Sequence, residues 1–160
     1  MQGKKIFIKV SGSLINNPRF YHFMASMGDP KAVKIVLCVG GGEQINENLK
    51  KAGYNVSGTF GPAGREQENA KAKAITYQTL ITNKQIVERE LLKRHCAPPL
   101  YMCIPPIIHI GEELCFVNGD NMVVAAYLGY DLLFVATLKE RFDAKSEQFK
   151  DYRKVQIVGF

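Results

Sequence analysis

The chain has 160 residues, of which 46% are hydrophobic, and this combination is typical of one globular domain that buries about 70% of the surface of its unfolded chain. Its 21 basic and 15 acidic side chains give a formal net charge of +6, which suits an anionic ligand. No basic stripe alternates with aromatic residues, so a nucleic-acid partner is not expected.

The first predicted element is a strand over residues 5–10, which runs into Ser11, Gly12 and Ser13. The strand is apolar on both alternating faces, as expected of a parallel strand buried between two layers. Lys9 interrupts this apolar segment, and a buried ammonium is costly unless it meets an anion. Two interpretations are open: Lys9 reaches water at the strand end, or it binds a ligand at the carboxyl edge of a parallel sheet.

A second strand is predicted over residues 34–39, followed by the glycine turn Gly40 to Gly42 and an amphipathic helix. A glycine turn between a strand and a helix lets backbone N–H groups approach a phosphate closely. Many such turns serve tight packing alone, and Glu43 and Glu47 at the start of the helix would repel a phosphate placed nearby.

The middle of the chain reads as a long helical region followed by another strand. Residues 70–94 predict one or two helices, and residues 100–104 predict a strand that ends at Pro105. The apolar residues available for a packed helix face are Ala70, Ala74, Tyr77, Ile81, Ile86, Val87, Leu91 and Leu92.

A third junction begins with a short strand over residues 113–117 and a turn at 118–120. An apolar helix over 121–130 and a buried strand over 131–137 follow, and residues 154–158 predict a last strand. Asp120 could be the N-cap of the helix, because Asp is a favoured cap. Helices alternating with strands predict a three-layer α/β/α sandwich with a mainly parallel sheet.

Taken together, five segments resemble motifs of the amino acid kinase family, which includes acetylglutamate, aspartate, carbamate, uridylate and isopentenyl phosphate kinases. They occur in the family's order over most of the chain. The segments are Ile8 to Ser13, Val39 to Gly42, Gly64 to Glu66, Val117 to Asp120 with the Ala125-Ala126 helix, and Asp131 to Thr137.

The resemblance implies a catalytic pair and a nucleotide site. Lys9 is similar to the family lysine that contacts the transferred phosphoryl group, and Asp120 resembles the acid that orients the catalytic lysines. Gly12 would let the backbone approach the phosphates of ATP. The residues that the resemblance places at the nucleotide are Lys9, Ser11, Gly12, Ser13, Gly41, Gly42 and Thr137.

The resemblance also implies an acceptor site. Gly41 and Gly42 would donate backbone N–H groups to the acceptor and to the migrating phosphate. Arg65 is similar to the family's acceptor-binding arginine, although a solvated surface arginine would look the same. Asn118 matches a polar position just before the acid, where a turn-forming asparagine would also fit.

The chain departs from the family after Thr137. Leu138 to Asp143 has no glycine turn, and we expect the single domain over residues 1–160 to lack much of the family's carboxyl-terminal nucleotide-binding segment. The second catalytic lysine of the family cannot be assigned from the sequence. The candidates are Lys139, Lys145, Lys150 and Lys154.

We therefore expect a small-molecule kinase that uses ATP with Mg²⁺ and phosphorylates a small carboxylate or phosphate acceptor. The alternative is a non-catalytic anion-binding, regulatory or structural subunit with the same fold. By the same resemblance, we expect a homodimer or a higher homo-oligomer, with the helix over 70–94 as its contact surface.

The remaining signals concern location and thiols. The sequence has neither a signal-peptide apolar region nor an apolar span of about 20 residues, so a cytoplasmic protein with no membrane contact is expected. The four cysteines show no Cys-x-x-Cys spacing and the three histidines are isolated, which favours reduced thiols and predicts no metal site.

Overall fold

The computed structural model describes residues 3–27, 33–56, 69–94 and 101–160. Seven strands are numbered along the chain: β1 (Lys5–Val10), β2 (Lys34–Val39), β3 (Tyr101–Cys103), β4 (Ile107–Ile110), β5 (Glu113–Phe116), β6 (Leu132–Thr137) and β7 (Val155–Gly159). The α-helices are α1 (Pro18–Ser26), α2 (Gly42–Lys51), α3 (Ala70–Lys93), α4 (Gly119–Ala126) and α5 (Phe142–Gln148).

Five of the strands form a parallel sheet in the order β3-β2-β1-β6-β7. The chain builds outward from β1 to β2 and β3 on one side, then returns to place β6 and β7 on the other. The carboxyl ends of β1 and β6 therefore meet where the strand order reverses, which is the place where open α/β sheets bind ligands. Val10 lies level with Val39 on one side and with Ala136 on the other, so the three central strands end at the same edge.

Helices cover both faces of the sheet, which makes the fold the predicted three-layer α/β/α sandwich. One face packs against α1 and α3 through a core that includes Ile8, Leu37, Phe20 and Val87. The opposite face packs against α4 and the segment after α5 in a second cluster. Phe7, Cys38, Leu133, Val123 and Phe149 are among its buried members. Because side chains alternate along a strand, Lys9 lies on the same face of β1 as Phe7.

The buried face of the long helix α3 agrees only in part with the one that its apolar residues predict. Val87 and Leu91 are buried as predicted, whereas Tyr77 and Leu92 are 47% and 57% exposed. Three of the buried residues are polar, and a search for apolar periodicity does not find them. Two of these, Thr79 and Asn83, are hydrogen-bonded to α2 and to the glycine turn. The buried residues of α3 are Ala72, Thr76, Thr79, Leu80, Asn83, Val87 and Leu91.

The structure defines the two segments on either side of Asn118. Among the described strands, β5 pairs with β4 in an antiparallel hairpin and is not part of the parallel sheet. The helix after it begins at Gly119, two residues earlier than predicted, and Asn118 is its N-cap, with its side chain accepting a hydrogen bond from the Asp120 N–H. Asp120 therefore lies in the first turn of α4 and is not the cap.

Candidate functional site

A cavity of about 250 Å³ opens at the carboxyl edge of the sheet, where β1, β2 and β6 end. It collects most of the residues that the sequence singled out. Those in its lining are Lys9, Ser11, Gly12, Gly41, Gly42, Asn118, Asp120 and Thr137. Segments far apart in the chain thus contribute to one concave site, as expected at a topological switch point.

Two predicted site residues are not part of this lining as described. Ser13 is absent from it, but its hydroxyl lies 2.9 Å from the hydroxyl of Ser11, which does line the cavity. Arg65 lies outside the described residues, together with the whole Gly64 to Glu66 segment.

The centre of the cavity is a cluster of one carboxylate and two ammonium groups. The Lys9 Nζ lies 3.1 Å from Asp120 Oδ1, and the Lys145 Nζ lies 2.5 Å from Asp120 Oδ2. The side chains of Asp120, Lys9 and Lys145 are only 6%, 11% and 20% exposed. The cluster is largely buried and carries a net charge of +1. One further negative charge would neutralise it, so it suits the binding of an anion.

The two lysines control the ionisation of Asp120. Burial by itself would raise the pKa of this carboxyl, but the charges of Lys9 and Lys145 and the hydrogen bonds that they donate outweigh burial and hold the pKa below its ordinary value. Asp120 is therefore ionised at neutral pH, and both of its oxygens face ammonium groups.

Lys145 is the member of this cluster that sequence reasoning could not select. It lies on α5, separated by 25 residues from Asp120, and three other lysines surround it in the same stretch of chain. Lys145 lines the cavity because α5, which follows β6 in the chain, lies at the cavity edge. A second hydrogen bond, to Gln148 Oε1 at 2.7 Å, steadies the ammonium.

Arg141 adds a third cation at the rim. It lines the cavity, and its guanidinium lies 3.4 Å from the carboxylate of Glu43 in the first turn of α2. The sequence suggested that Glu43 would repel a phosphate. Because both side chains are about half exposed, this ion pair contributes little to stability, but it places a positive charge beside the carboxylate.

The two glycine turns approach each other so closely that no side chain would fit between them. A Cβ on Gly12 would lie 2.8 Å from Gly41 Cα, and a Cβ on Gly41 would lie 2.7 Å from Asn83 Nδ2. Gly41 and Gly42 are the N-cap and first residue of α2, so their N–H groups belong to the donors that a helix leaves without an internal acceptor. This end of the cavity therefore presents backbone donors and the positive end of a helix dipole.

The remaining walls are partly apolar. Ile45 and Leu80 contribute from α2 and α3, and Pro105 and Phe116 contribute from the segments at either end of the β4–β5 hairpin. Thr137 closes the β6 side and is 1% exposed. The site thus combines a cationic centre with an apolar flank, a composition typical of small-molecule sites.

Within the described ranges, no group of three or more His, Cys, Asp or Glu side chains could hold a metal ion. None of the helices described is long and apolar enough to cross a membrane. Cys38 and Cys103 are free thiols at paired positions of β2 and β3, whereas Cys96 lies outside the described residues.

Comparison with known proteins adds no identification. No protein-family model matches the chain, and no curated protein matches it. The interpretation of the cavity therefore depends on its own geometry and on the motif resemblance.

Proposed function

We propose that the protein is a small-molecule kinase, which transfers the terminal phosphoryl group of ATP to a small anionic acceptor. The observation that carries this proposal is the Lys9–Asp120–Lys145 cluster. It lies in one cavity with the Gly12 turn and the Gly40 to Gly42 turn, at the switch point of a parallel sheet.

The arrangement suits phosphoryl transfer because that reaction asks little covalent chemistry of the protein. The bond between the terminal phosphorus and its bridging oxygen breaks while a bond from an acceptor oxygen to the same phosphorus forms, and catalysis is mostly positioning and electrostatic stabilisation. Lys9 and Lys145 would neutralise charge on the transferred group, and the Gly41 and Gly42 amides would hold its oxygens. Asp120 would hold the two ammonium groups apart and aimed, without acting as a nucleophile.

Magnesium fits this site as part of the nucleotide complex. Asp120 is already engaged by two lysines, and the described residues form no carboxylate cluster. Mg²⁺ commonly keeps several waters and binds through substrate phosphates. When bound, it would neutralise phosphate charge, while the protein supplies the ammonium and amide groups.

The acceptor end lies toward α2, α3 and Asn118. We propose that Gly41, Gly42 and Asn118 contact the acceptor and that Arg65 grips its carboxylate or phosphate through a bidentate pair. We also propose self-association through the exposed side of α3, where Tyr77 and Leu92 are accessible. Light scattering at tens of micromolar protein tests whether a dimer forms.

Calorimetric titration of pure protein with ATP, with and without Mg²⁺, is the decisive experiment. Lys145→Met should weaken ATP binding by about tenfold or more, because it removes a charged hydrogen-bond donor. The matched control is Lys150→Met, which removes a lysine that pairs with Glu147 on the surface and should leave binding unchanged.

The two candidate functions predict different results. Saturable ATP binding that Lys145→Met weakens, together with phosphoryl transfer to some member of an acceptor panel, supports the kinase. Phosphate binding without nucleotide binding would favour the non-catalytic anion-binding module. Equal losses in Lys145→Met and Lys150→Met would refute the role given to the cluster.

A further inference from the structure

Two side-chain amides donate hydrogen bonds to the carbonyl groups of the glycine turns. Gln44, in the first turn of α2, donates from Nε2 to the Gly12 carbonyl at 3.1 Å. Asn83 of α3 donates from Nδ2 to the Gly40 carbonyl at 3.2 Å and lies 3.4 Å from Gln44 Oε1. One hydrogen-bonded chain therefore joins the turn after β1, the turn after β2 and the two helices. We call Gln44 and Asn83 the amide bridge.

A buried asparagine at position 83 costs more free energy than an apolar residue would. It is 2% exposed and lies one turn from Leu80 and one turn from Val87, both buried on the same side of α3. A buried amide costs free energy unless it is hydrogen-bonded, and asparagine is a poorer helix former than leucine. A leucine would fill this position in the core equally well. The amide group must therefore contribute something other than packing.

That use follows from peptide geometry. The C=O and N–H of a trans peptide point in opposite directions, and no described peptide is cis. A Gly40 carbonyl held against Asn83 directs the Gly41 N–H away from α3, toward the cavity that Gly41 lines. The Gly12 carbonyl accepts from Gln44 and also from the Ile15 N–H at 3.2 Å, so Gln44 ties this turn to α2, and its Oε1 faces the Asn83 amide.

Glycine makes such a device necessary. It has no side chain to restrict rotation about its backbone bonds. The Gly40 N–H is held by the Val10 carbonyl at 2.9 Å and the Gly41 carbonyl accepts from the Ile45 N–H at 2.8 Å, and the peptide between these two bonds is the one that Asn83 holds. A donor aimed at a ligand before binding costs no reorganisation when the ligand arrives.

We propose that Asn83, held in place by Gln44, is a positioning residue, which orients the Gly40–Gly41 peptide so that the Gly41 N–H receives a phosphate-class anion. This inference deepens the proposed function and rests on it for the identity of the anion. Neither side chain is assigned contact with the ligand. Their effect on binding passes through the backbone.

The α2–α3 interface contains a matched control. Asn48 Nδ2 donates to Thr79 Oγ1 at 2.9 Å, and Thr79 is 4% exposed. This is also a buried polar contact between the two helices, but it touches neither glycine turn. Thr79→Val removes this contact, and Asn83→Leu removes the bonds to Gly40 and Gln44. Each substitution keeps the number and branching of the side-chain heavy atoms.

The test uses protein labelled with ¹⁵N-glycine and titrated with inorganic pyrophosphate in the absence of metal. The chain has 14 glycines, so the amide spectrum is simple enough to follow the Gly12, Gly41 and Gly42 signals individually. In the wild type these signals should shift in a saturable way. Asn83→Leu should weaken pyrophosphate binding by about tenfold or more, as expected for the loss of one aimed donor to a charged group.

Thr79→Val should lower the melting temperature but keep pyrophosphate affinity within about twofold, since it leaves both turns intact. If Asn83→Leu does not fold, Gln44→Met can be compared with Thr79→Val instead, because Gln44 is partly exposed and its replacement is better tolerated. It should move the Gly12 signal and weaken pyrophosphate.

Two results would overturn the inference. One is unchanged pyrophosphate affinity in folded Asn83→Leu or Gln44→Met. The other is a wild type whose three glycine signals do not respond to pyrophosphate. If these signals respond as expected but ATP does not bind, the positioning role stands and the kinase proposal fails.

Discussion

The charge cluster predicts that Asp120→Asn destabilises the protein more than loss of either lysine. Asparagine keeps the size of the side chain and removes the negative charge, so two ammonium groups are left without a counter-ion in a largely buried place. Lys9→Met leaves the Asp120–Lys145 pair intact and neutral. The two substitutions therefore have unequal costs, although each removes one charge.

The distances set the size of the effect. Unit charges 3.1 Å apart, as for Lys9 and Asp120, attract by about 5 kcal/mol at an effective dielectric constant of about 20. Desolvation offsets part of this attraction, and breaking a buried pair by removing one partner commonly costs about 3 kcal/mol. For a domain of this size, such a loss lowers the melting temperature by roughly 10 °C. Lys9→Met should lower it by about 3 °C or less, because the remaining pair stays satisfied.

Thermal unfolding followed by circular dichroism at neutral pH and low salt measures both changes. Pyrophosphate should raise the melting temperature of Asp120→Asn at least as much as that of the wild type, because an anion can replace the missing counter-charge. ATP-dependent transfer should be lost even though the anion still binds, since the lysines are no longer aimed. Asp120→Asn that melts like the wild type, or melts above Lys9→Met, would refute the charge cluster as described.

Three further predictions follow from the cavity walls and from the ionisation of Asp120. Gly12→Ala should destabilise the fold by about 2 kcal/mol through overcrowding, because its Cβ would lie 2.8 Å from Gly41 Cα. Gly41→Ala should cost less, because its Cβ would meet the ends of the Asn83 and Leu80 side chains, at 2.7 Å and 3.2 Å, which can shift. Gly42→Ala should be neutral or slightly stabilising in chemical denaturation, because no described atom lies within 4 Å of its Cβ. A large loss in Gly42→Ala, or none in Gly12→Ala, would contradict the close approach of the turns. The pKa of Asp120 is lowered from 3.8, so its stabilising contribution is complete above that value and is lost as the pH falls through the lowered pKa. The gap in melting temperature between wild type and Asp120→Asn should therefore shrink from about pH 5 to about pH 3, and a gap that widens in acid would reverse the sign of the assigned shift.

The net charge of the site underlies the predictions for Asp120 and Lys9. In the protein without ligand, one carboxylate balances only half of the charge that Lys9 and Lys145 bring, and Arg141 is held at the rim by Glu43. An uncompensated positive charge costs some stability but strengthens binding of a phosphate. Sites that trade stability for preorganisation in this way are expected where function resides.

Local patterns in the sequence were sufficient for the parallel strands and for the residues at their carboxyl ends. The predicted strands over 5–10 and 34–39 match β1 and β2 residue for residue, because a continuous apolar run bounded by turn residues has few other solutions. Parallel strands end at a common edge, so the sequence pattern predicts that Lys9, the glycine turn and Thr137 lie near one another. Asp120 follows β5, which is outside that sheet, and its place beside Lys9 was implied by the motif resemblance.

Other features depend on contacts between distant segments, and only the tertiary structure decided them. Lys145 became part of the site because β6 and α5 bring it to Asp120, whereas four lysines of the same region were equivalent in the sequence. The buried face of α3 is partly polar because Asn83 and Thr79 find partners on the glycine turn and on α2, and hydrophobic periodicity does not detect such partners. A cap role for Asp120 was one of two open interpretations, and the cap of α4 is Asn118, since both residues are good caps and the choice depends on where the chain leaves the hairpin. Hydrophobic periodicity along the chain predicts which face of a segment is buried. It does not predict which polar group will pair with which partner, because the partners lie far apart in the sequence. The chemistry of this site depends on those pairings.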